Sequence, residues 1–220
     1  MSKIKKPKTD FIDLASHQLR TPLAVVSLET ERLLAGHLGT VSAKQKKVLA
    51  NISFYHRKLN TILTEFLISS KIQLGVYQAR PEEMDVRRVL TVVCKDLGGD
   101  LRQKKLKIVS HFDKDLPFLF IDQDILRVVV YRLLSQAIKF SPVGEDILLD
   151  IVQRGKKMII KITDRGPGIV IKAERVCTRQ KAGGFGLCVV SELVKASHGQ
   201  LWISPGPRKG TVFSLELPIR

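Results

Sequence analysis

Six apolar residues, Val48, Ile52, Tyr55, Leu59, Ile62 and Phe66, recur at intervals of 4-3-4-3-4. That repeat is the seam of a helix packed in a bundle, where one stripe is buried and the rest is solvated. Ser42 and Gln45 supply a capping box at its start. Upstream, Ile12, Ala15, Leu19, Pro22, Val26 and Leu33 follow a 3-4-3-4-7 spacing, broken only at Glu29. Between the two lies "GHLGTV", a short turn with two glycines. The chain therefore predicts a helical hairpin over residues 9–75. A lone two-helix hairpin buries too little apolar surface to be stable. Two copies would make a four-helix bundle, so the seams predict a homodimer.

The first helix holds a histidine in an unusual setting, "SHQLRTPL". In the heptad register His17 falls two places after Ala15, at the most solvent-exposed position, so it is displayed. Pro22 follows in the helix interior. A proline there costs about 3 kcal/mol, removes a backbone donor and crowds the carbonyl one turn back, here that of Gln18. The spacing predicts a bend just beyond His17.

The chain has 220 residues, 44% of them apolar, enough for one large domain or two small ones. No apolar run approaches the ~18 residues of a membrane span. The basic start "MSKIKKPK" leads into an amphipathic helix, which argues against a secretory signal. Cys94, Cys177 and Cys188 are odd in number and scattered, as reduced thiols of a cytoplasmic protein would be. The formal net charge is +16. Nucleic acid, a polyphosphate ligand, an acidic partner or an anionic membrane would each suit it, the last through Lys3, Lys5, Lys6 and Lys8. Aromatic residues are 6% and do not interleave with the basic ones, so no specific nucleic acid is expected.

After Gly75 the pattern changes. "YQARPEEMD" reads as a polar connection, followed by one helix at about 85–102. "KIVSHF" and "PFLFID" read as strands, and Asp122 as the cap of a helix over 123–140. "DILLDIVQRGKKMIIKITD" is a strand pair around a turn at Arg154–Lys157. A last helix covers about 186–197, and "QLWIS" pairs with "GTVFSLELP". The fold class is α+β: the hairpin of a dimeric four-helix bundle, then an α/β sandwich with a mixed, mostly antiparallel sheet. The domains are a basic arm over 1–8, the hairpin over 9–75 and the sandwich over 84–220.

Three segments of the second half share one character. "DRGPGI" follows a strand, with two glycines that let the backbone turn and approach a ligand, and an aspartate that can accept from an amino group. "AGGFGL" opens a helix with glycines, which offers free amides and a favourable dipole to a phosphate. "RLLSQAIKFSP" ends a helix with an amide side chain, a lysine and an aromatic ring. In this order they point to a nucleotide pocket.

With these residues in hand, the chain from about residue 9 onward resembles the catalytic core of the sensor histidine kinases of two-component signalling. "SHQLRTPL" is similar to that family's phosphoacceptor motif. "RLLSQAIKFSP" resembles its N-box, commonly NLLxNAIKYS, "DRGPGI" and "GGFGL" its two glycine boxes, and "KGTVFSLELP" its terminal strand. The resemblance implies a dimerisation and phosphotransfer hairpin followed by a Bergerat-type ATP-binding domain. His17 would take the γ-phosphoryl group of ATP and pass it to an aspartate in the receiver domain of a response regulator. ATP and magnesium are the implied cofactors. The implied location is cytoplasmic, free or as part of a larger membrane receptor.

Residue by residue, the resemblance makes Asp164 the partner of the adenine amino group, with Gly166 and Gly168 shaping that wall. Phe140 would lie beside the base and Lys139 near the phosphates. Gly184, Gly186 and Leu187 match the second glycine box. Thr211 matches a threonine near the adenine aspartate. Beside His17, Gln18 would fix the imidazole tautomer, Arg20 would screen phosphate charge, and Thr21 would orient water in dephosphorylation.

The departures are specific. The magnesium ligand of the N-box is commonly asparagine; here it is Gln136, one methylene longer, and magnesium tolerates displaced ligands badly. Arg132 stands where the other N-box asparagine would. Ala182 replaces the first glycine of the second box, and the lid over 170–183 is short and carries Lys172, Arg175, Arg179 and Lys181. Many relatives have an acidic residue where Gln18 stands, so slower autophosphorylation is expected. These changes leave an alternative open: a degenerate kinase that serves as a dimeric binding or phosphatase scaffold for a regulator.

Overall fold

The computed structural model describes residues 5–168 and 185–219. The chain divides between Tyr77 and Gln78 into two compact units.

The first unit is an antiparallel pair of helices, α1 (Lys5–Leu34) and α2 (Ala43–Gln73). α1 begins at Lys5, within the span read from the sequence as a basic arm over 1–8. It runs through Pro22 as one continuous helix. α2 starts at the expected capping box: Gln45 N donates to Ser42 Oγ at 3.3 Å, and Ser42 N to Gln45 Oε1 at 2.9 Å. The buried positions of the hairpin include Ser16, Thr30 and Thr61. Their hydroxyls donate to the carbonyls of Ile12, Val26 and Arg57, one turn back, which satisfies them without a partner helix.

The predicted seam of α2 lies elsewhere. Val48, Ile52, Tyr55, Leu59, Ile62 and Phe66 are each 41–65% exposed, and Leu19 and Val26 of α1 are exposed as well. The intramolecular packing uses a different stripe, and the apolar one is left uncovered.

The second unit is an α/β sandwich. A short strand β1 (Pro81–Met84) precedes helix α3 (Val86–Asp96) and a single turn-and-a-half, α4 (Gly98–Gln103). Then come β2 (Lys107–Phe112), β3 (Leu119–Asp122), α5 (Gln123–Phe140), β4 (Asp146–Arg154), β5 (Lys157–Thr163), α6 (Phe185–Ala196), β6 (Gln200–Pro205) and β7 (Thr211–Pro218). The main sheet has the order β2-β4-β5-β7-β6. Only the β2–β4 pair is parallel, so the sheet is mixed and mostly antiparallel, as expected. β1 and β3 form a separate antiparallel pair.

Two expectations need correction here. The "polar connection" contains β1, whose Pro81, Glu82 and Glu83 are exposed and whose Met84 alone is buried. A proline at the first residue of a short edge strand is tolerated, because no donor is needed there. The single helix over 85–102 is two helices. The break falls at Leu97, which is fully buried, and the weak helix formers Gly98 and Gly99 open the second helix.

α5 is the centre of the unit. Ile125, Leu126, Val128, Val129, Val130, Tyr131, Leu133, Leu134, Ala137 and Ile138 are buried on nearly every side of it. Asp122 caps it twice, accepting from the amides of Asp124 and Ile125 with Oδ1, and holds the chain before β1 by accepting from Arg80 N with Oδ2. Asp96 of α3, almost fully buried, accepts from Arg127 of α5 at 2.9 Å. The C-terminal end of α5 lies against the turn that follows β5, where Phe140 O faces Gly166.

Candidate functional site

The candidate site gathers at the C-terminal ends of α5 and β5 and at the start of β7. β5 ends at Thr163, and its pairing with β7 sets Thr163 opposite Val212. The next residue, Asp164, is 1% exposed. Its amide donates to Thr211 O at 2.9 Å. Its Oδ1 accepts from Gly166 N at 2.8 Å and from Thr211 N at 3.1 Å. The carboxylate is therefore held by two backbone amides, one from two residues on and one from 47 residues on in sequence.

The glycines explain themselves. A β-carbon on Gly166 would stand 2.8 Å from the carbonyl oxygen of Phe140. Gly168 has φ +81°, and a β-carbon there would fall 2.2 Å from Lys209 O. Any side chain would break this packing, and the φ is one that L-residues rarely adopt. Gly210 belongs to the same wall, since a β-carbon there would meet Asp164 O at 1.8 Å. Sequence reasoning missed Gly210, although it directly precedes the expected Thr211.

α5 brings the third element. Phe140 is 41% exposed, and Lys139 Nζ lies 5.3 Å from the centre of its ring. Gln136 has its side-chain oxygen buried with no hydrogen-bond partner. A buried acceptor left without a donor costs free energy, so it fits a site completed by a cation or a donor from a ligand. Magnesium takes oxygen ligands, only one or two of them from the protein. An orphaned amide oxygen fits that role. Arg132, one turn earlier, is half-buried. Beside the glycine turn, Arg165 faces Glu145 at 3.4 Å.

Leu187, in the first turn of α6, is buried in the core. Gly186 lies in the same turn. Gly184, Ala182 and the lid residues Lys172, Arg175, Arg179 and Lys181 lie outside the described residues. The structure thus brings Gln136, Lys139, Phe140, Asp164, Gly166, Gly168 and Thr211 to one end of the sandwich.

The second candidate site is on α1. His17, Gln18, Arg20 and Thr21 are all exposed. Thr21 Oγ1 donates to His17 O at 3.0 Å. Pro22 has no amide to give to Gln18 O. The hydroxyl proton of Thr21 is therefore used on the backbone beside that gap, and its lone pairs remain the group that could meet water.

The profile of the His Kinase A (phospho-acceptor) domain matches residues 7–75. That of the "Histidine kinase-, DNA gyrase B-, and HSP90-like ATPase" matches residues 121–220. The chain has the catalytic core of a sensor histidine kinase.

Among curated relatives, this kinase core is 29% identical over 230 residues to the adaptive-response sensory kinase SasA of a Synechococcus species, covering 97% of this chain and 61% of that protein. It is 28% identical to the SasA of Crocosphaera subtropica, covering 97% and 60%. The chain thus spans about three fifths of the length of these relatives. Among solved structures, full-length ShkA in complex with AMPPNP superposes with a TM-score of 0.63 at 21% identity, covering 95% of this chain and 45% of that one. The Acinetobacter baumannii histidine kinase AdeS gives 0.60 at 21%, covering 93% and 98%. These two support the fold of the kinase core. No helix among its described residues is long and apolar enough to cross a membrane.

Proposed function

We propose that this kinase core transfers the γ-phosphoryl group of ATP to His17 and then to an aspartate in the receiver domain of a response regulator, acting as a homodimer. One observation carries the reading. A single chain combines an exposed histidine in "SHQLRTPL" with a buried aspartate that two backbone amides hold at the mouth of a glycine turn. The first is an acceptor and the second a purine reader.

In this reading Asp164 accepts from the adenine amino group, and Phe140 lies along the base. Gly166 and Gly168 let the backbone come close. Lys139 meets the phosphates, together with the second glycine box, of which Gly186 lies in the first turn of α6 and Gly184 precedes it in sequence. Magnesium, held by the Gln136 oxygen, would neutralise phosphate charge. A nitrogen of His17 forms the new N–P bond as the bond from phosphorus to the ADP oxygen breaks, so ADP leaves with the electron pair. Gln18 holds the tautomer, Arg20 screens the incoming charge, and Thr21 orients water when the phosphoryl group is removed from the partner. The buried, unpaired oxygen of Gln136 supports a working metal site over a degenerate one.

The homodimer rests on the uncovered stripe of α2, which a second copy would bury. The proposed location is the cytoplasm, where ATP is supplied. Contact of the basic N-terminus with a membrane surface is part of the proposal.

Incubation with labelled Mg-ATP should give acid-labile, base-stable phosphate on the protein. His17→Ala should abolish it and leave nucleotide affinity within twofold. Labelling that survives the substitution refutes His17 as acceptor.

A further inference from the structure

A helix ends with carbonyls that have no donor within the helix. At the end of α5, Ser141 N takes Ala137 O at 2.9 Å. The next carbonyls are served from a distant residue. Lys104 Nζ donates to Ile138 O at 2.9 Å, to Lys139 O at 2.6 Å and to Ser141 O at 3.1 Å. An ammonium has three N–H donors, and all three are spent on this one helix end. Its charge also lies at the negative end of the helix dipole, where a cation is favoured. The backbone of the same residue completes the arrangement, because Lys104 O accepts from Gly144 N at 3.0 Å. Lys104 therefore fastens the turn over 138–144 from both sides.

That turn is one side of the candidate nucleotide site. The carbonyl between the clamped ones, Phe140 O, is the atom on which Gly166 rests, with no space for a β-carbon. Gly166 N is in turn a donor to Asp164. A continuous chain of contacts runs from Lys104 through the end of α5 to the buried carboxylate.

We infer that Lys104 is a positioning residue for nucleotide binding: it fixes the helix end that presents Gln136, Lys139 and Phe140 and seats Phe140 O against the glycine turn. This rests on the ATP site proposed above. Lys104 and Lys139 divide the work. Lys104 has its three protons committed to carbonyls and none to give to a phosphate. Lys139 extends over the Phe140 ring, from which it can swing to one.

The test uses the full chain with Lys104→Met, Lys104→Arg and a control, Val93→Ala, which opens a cavity at a fully buried position of α3. The probe is the β,γ-imido analogue of ATP, measured by calorimetry, with thermal unfolding and amide hydrogen exchange of the nucleotide-free protein alongside. Lys104→Met should weaken the analogue at least fivefold, raise KM for ATP more than it lowers kcat, and speed exchange at Ser141 and Gly144. Lys104→Arg, which keeps a cationic donor there, should recover at least half of the lost binding energy. Val93→Ala should lose thermal stability without losing affinity. Should Lys104→Met not fold, Lys104→Gln carries the same expectations. Affinity within twofold of the wild type in the folded variant, or an equal loss in Val93→Ala, overturns the positioning role. A wild type that binds no analogue overturns the ATP reading and this inference with it.

Discussion

Replacing Asp164 with asparagine isolates what its second oxygen does. The substitution is isosteric, and the residue is 1% exposed, so shape is preserved. The amide oxygen of the replacement can still accept from Gly166 N and Thr211 N, which now bond Oδ1 at 2.8 and 3.1 Å. Those two bonds lose their charge assistance, a change on the order of 1 kcal/mol, which lowers the melting temperature of a domain of this size by about 2–4 °C. Oδ2 becomes an NH2 group. It can no longer accept from the adenine amino group and sets a donor against a donor. Losing a hydrogen bond to a charged group costs about 1.5–3 kcal/mol, or roughly ten- to a hundredfold in affinity. Inosine triphosphate differs at that position by carrying an oxygen, which the new NH2 can serve. The ratio of inosine to adenine nucleotide affinity should therefore rise. Calorimetry with both nucleotides, on wild type and variant, reads this directly. An adenine nucleotide affinity within twofold of the wild type, in a variant that melts within a few degrees of it, refutes the role of Asp164.

Two further outcomes follow from the geometry. Leu59→Asp puts a charge into the uncovered stripe of α2, where Leu59 is 52% exposed. Sedimentation of the full chain should shift from dimer to monomer while helicity is retained, and an unchanged dimer would mean that another surface mediates association. Asp85 caps α3 by accepting from Arg87 N at 2.9 Å, and the Arg87 side chain, hydrogen-bonded to the same carboxyl at 2.8 Å, holds its pKa below the usual carboxylate value. Asp85→Ala should cost about 1 kcal/mol at neutral pH. Because the folded-state pKa is the lower one, that increment is fully present above about pH 4 and is lost as pH falls through the depressed value. The difference between wild type and variant in urea should accordingly shrink between pH 7 and pH 3, and a constant difference would contradict the carboxylate's role.

The parts of this fold that were legible in the sequence are those written in short-range periodicity. The α2 helix itself, the Ser42–Gln45 box, the Asp122 cap and the β4–β5 hairpin each depend on residues within about one helical repeat or one strand pair. What that periodicity could not reveal was which face the hairpin buries against itself. The inner face relies on serine and threonine hydroxyls that bond their own helix, and such residues do not register as a stripe. β1 escaped because three of its four residues are exposed and two of those are glutamates. The α3–α4 break escaped because Val93, Leu97 and Leu101 keep a helical spacing straight through it.

The pocket shows a harder limit. Each of its motifs was readable as a type: a turn, a helix end, a strand start. Their fit was not. Gly210 is a glycine because Asp164 O would otherwise lie 1.8 Å from a β-carbon. Gly166 is one because of Phe140 O, and Gly168 because of Lys209 O. In each case the constraint comes from a segment tens of residues away, brought there by sheet register. β5 and β7 pair with Thr163 opposite Val212, and the ladder continues one step beyond the strand as Asp164 N bonds Thr211 O. The side chain of Asp164 then bonds the amide of the same Thr211. The carboxylate is thus aimed by the register of a strand that follows it by 47 residues. A one-residue slip of β7 would move Thr211 off both bonds and turn every buried residue of that strand outward. The hydrophobic alternation Thr211, Phe213, Leu215, Leu217 forbids such a slip, because all four are buried on one face. The core of the sandwich therefore sets the aim of the proposed adenine reader, and a destabilising change in that strand's buried face should be felt first as lost nucleotide affinity.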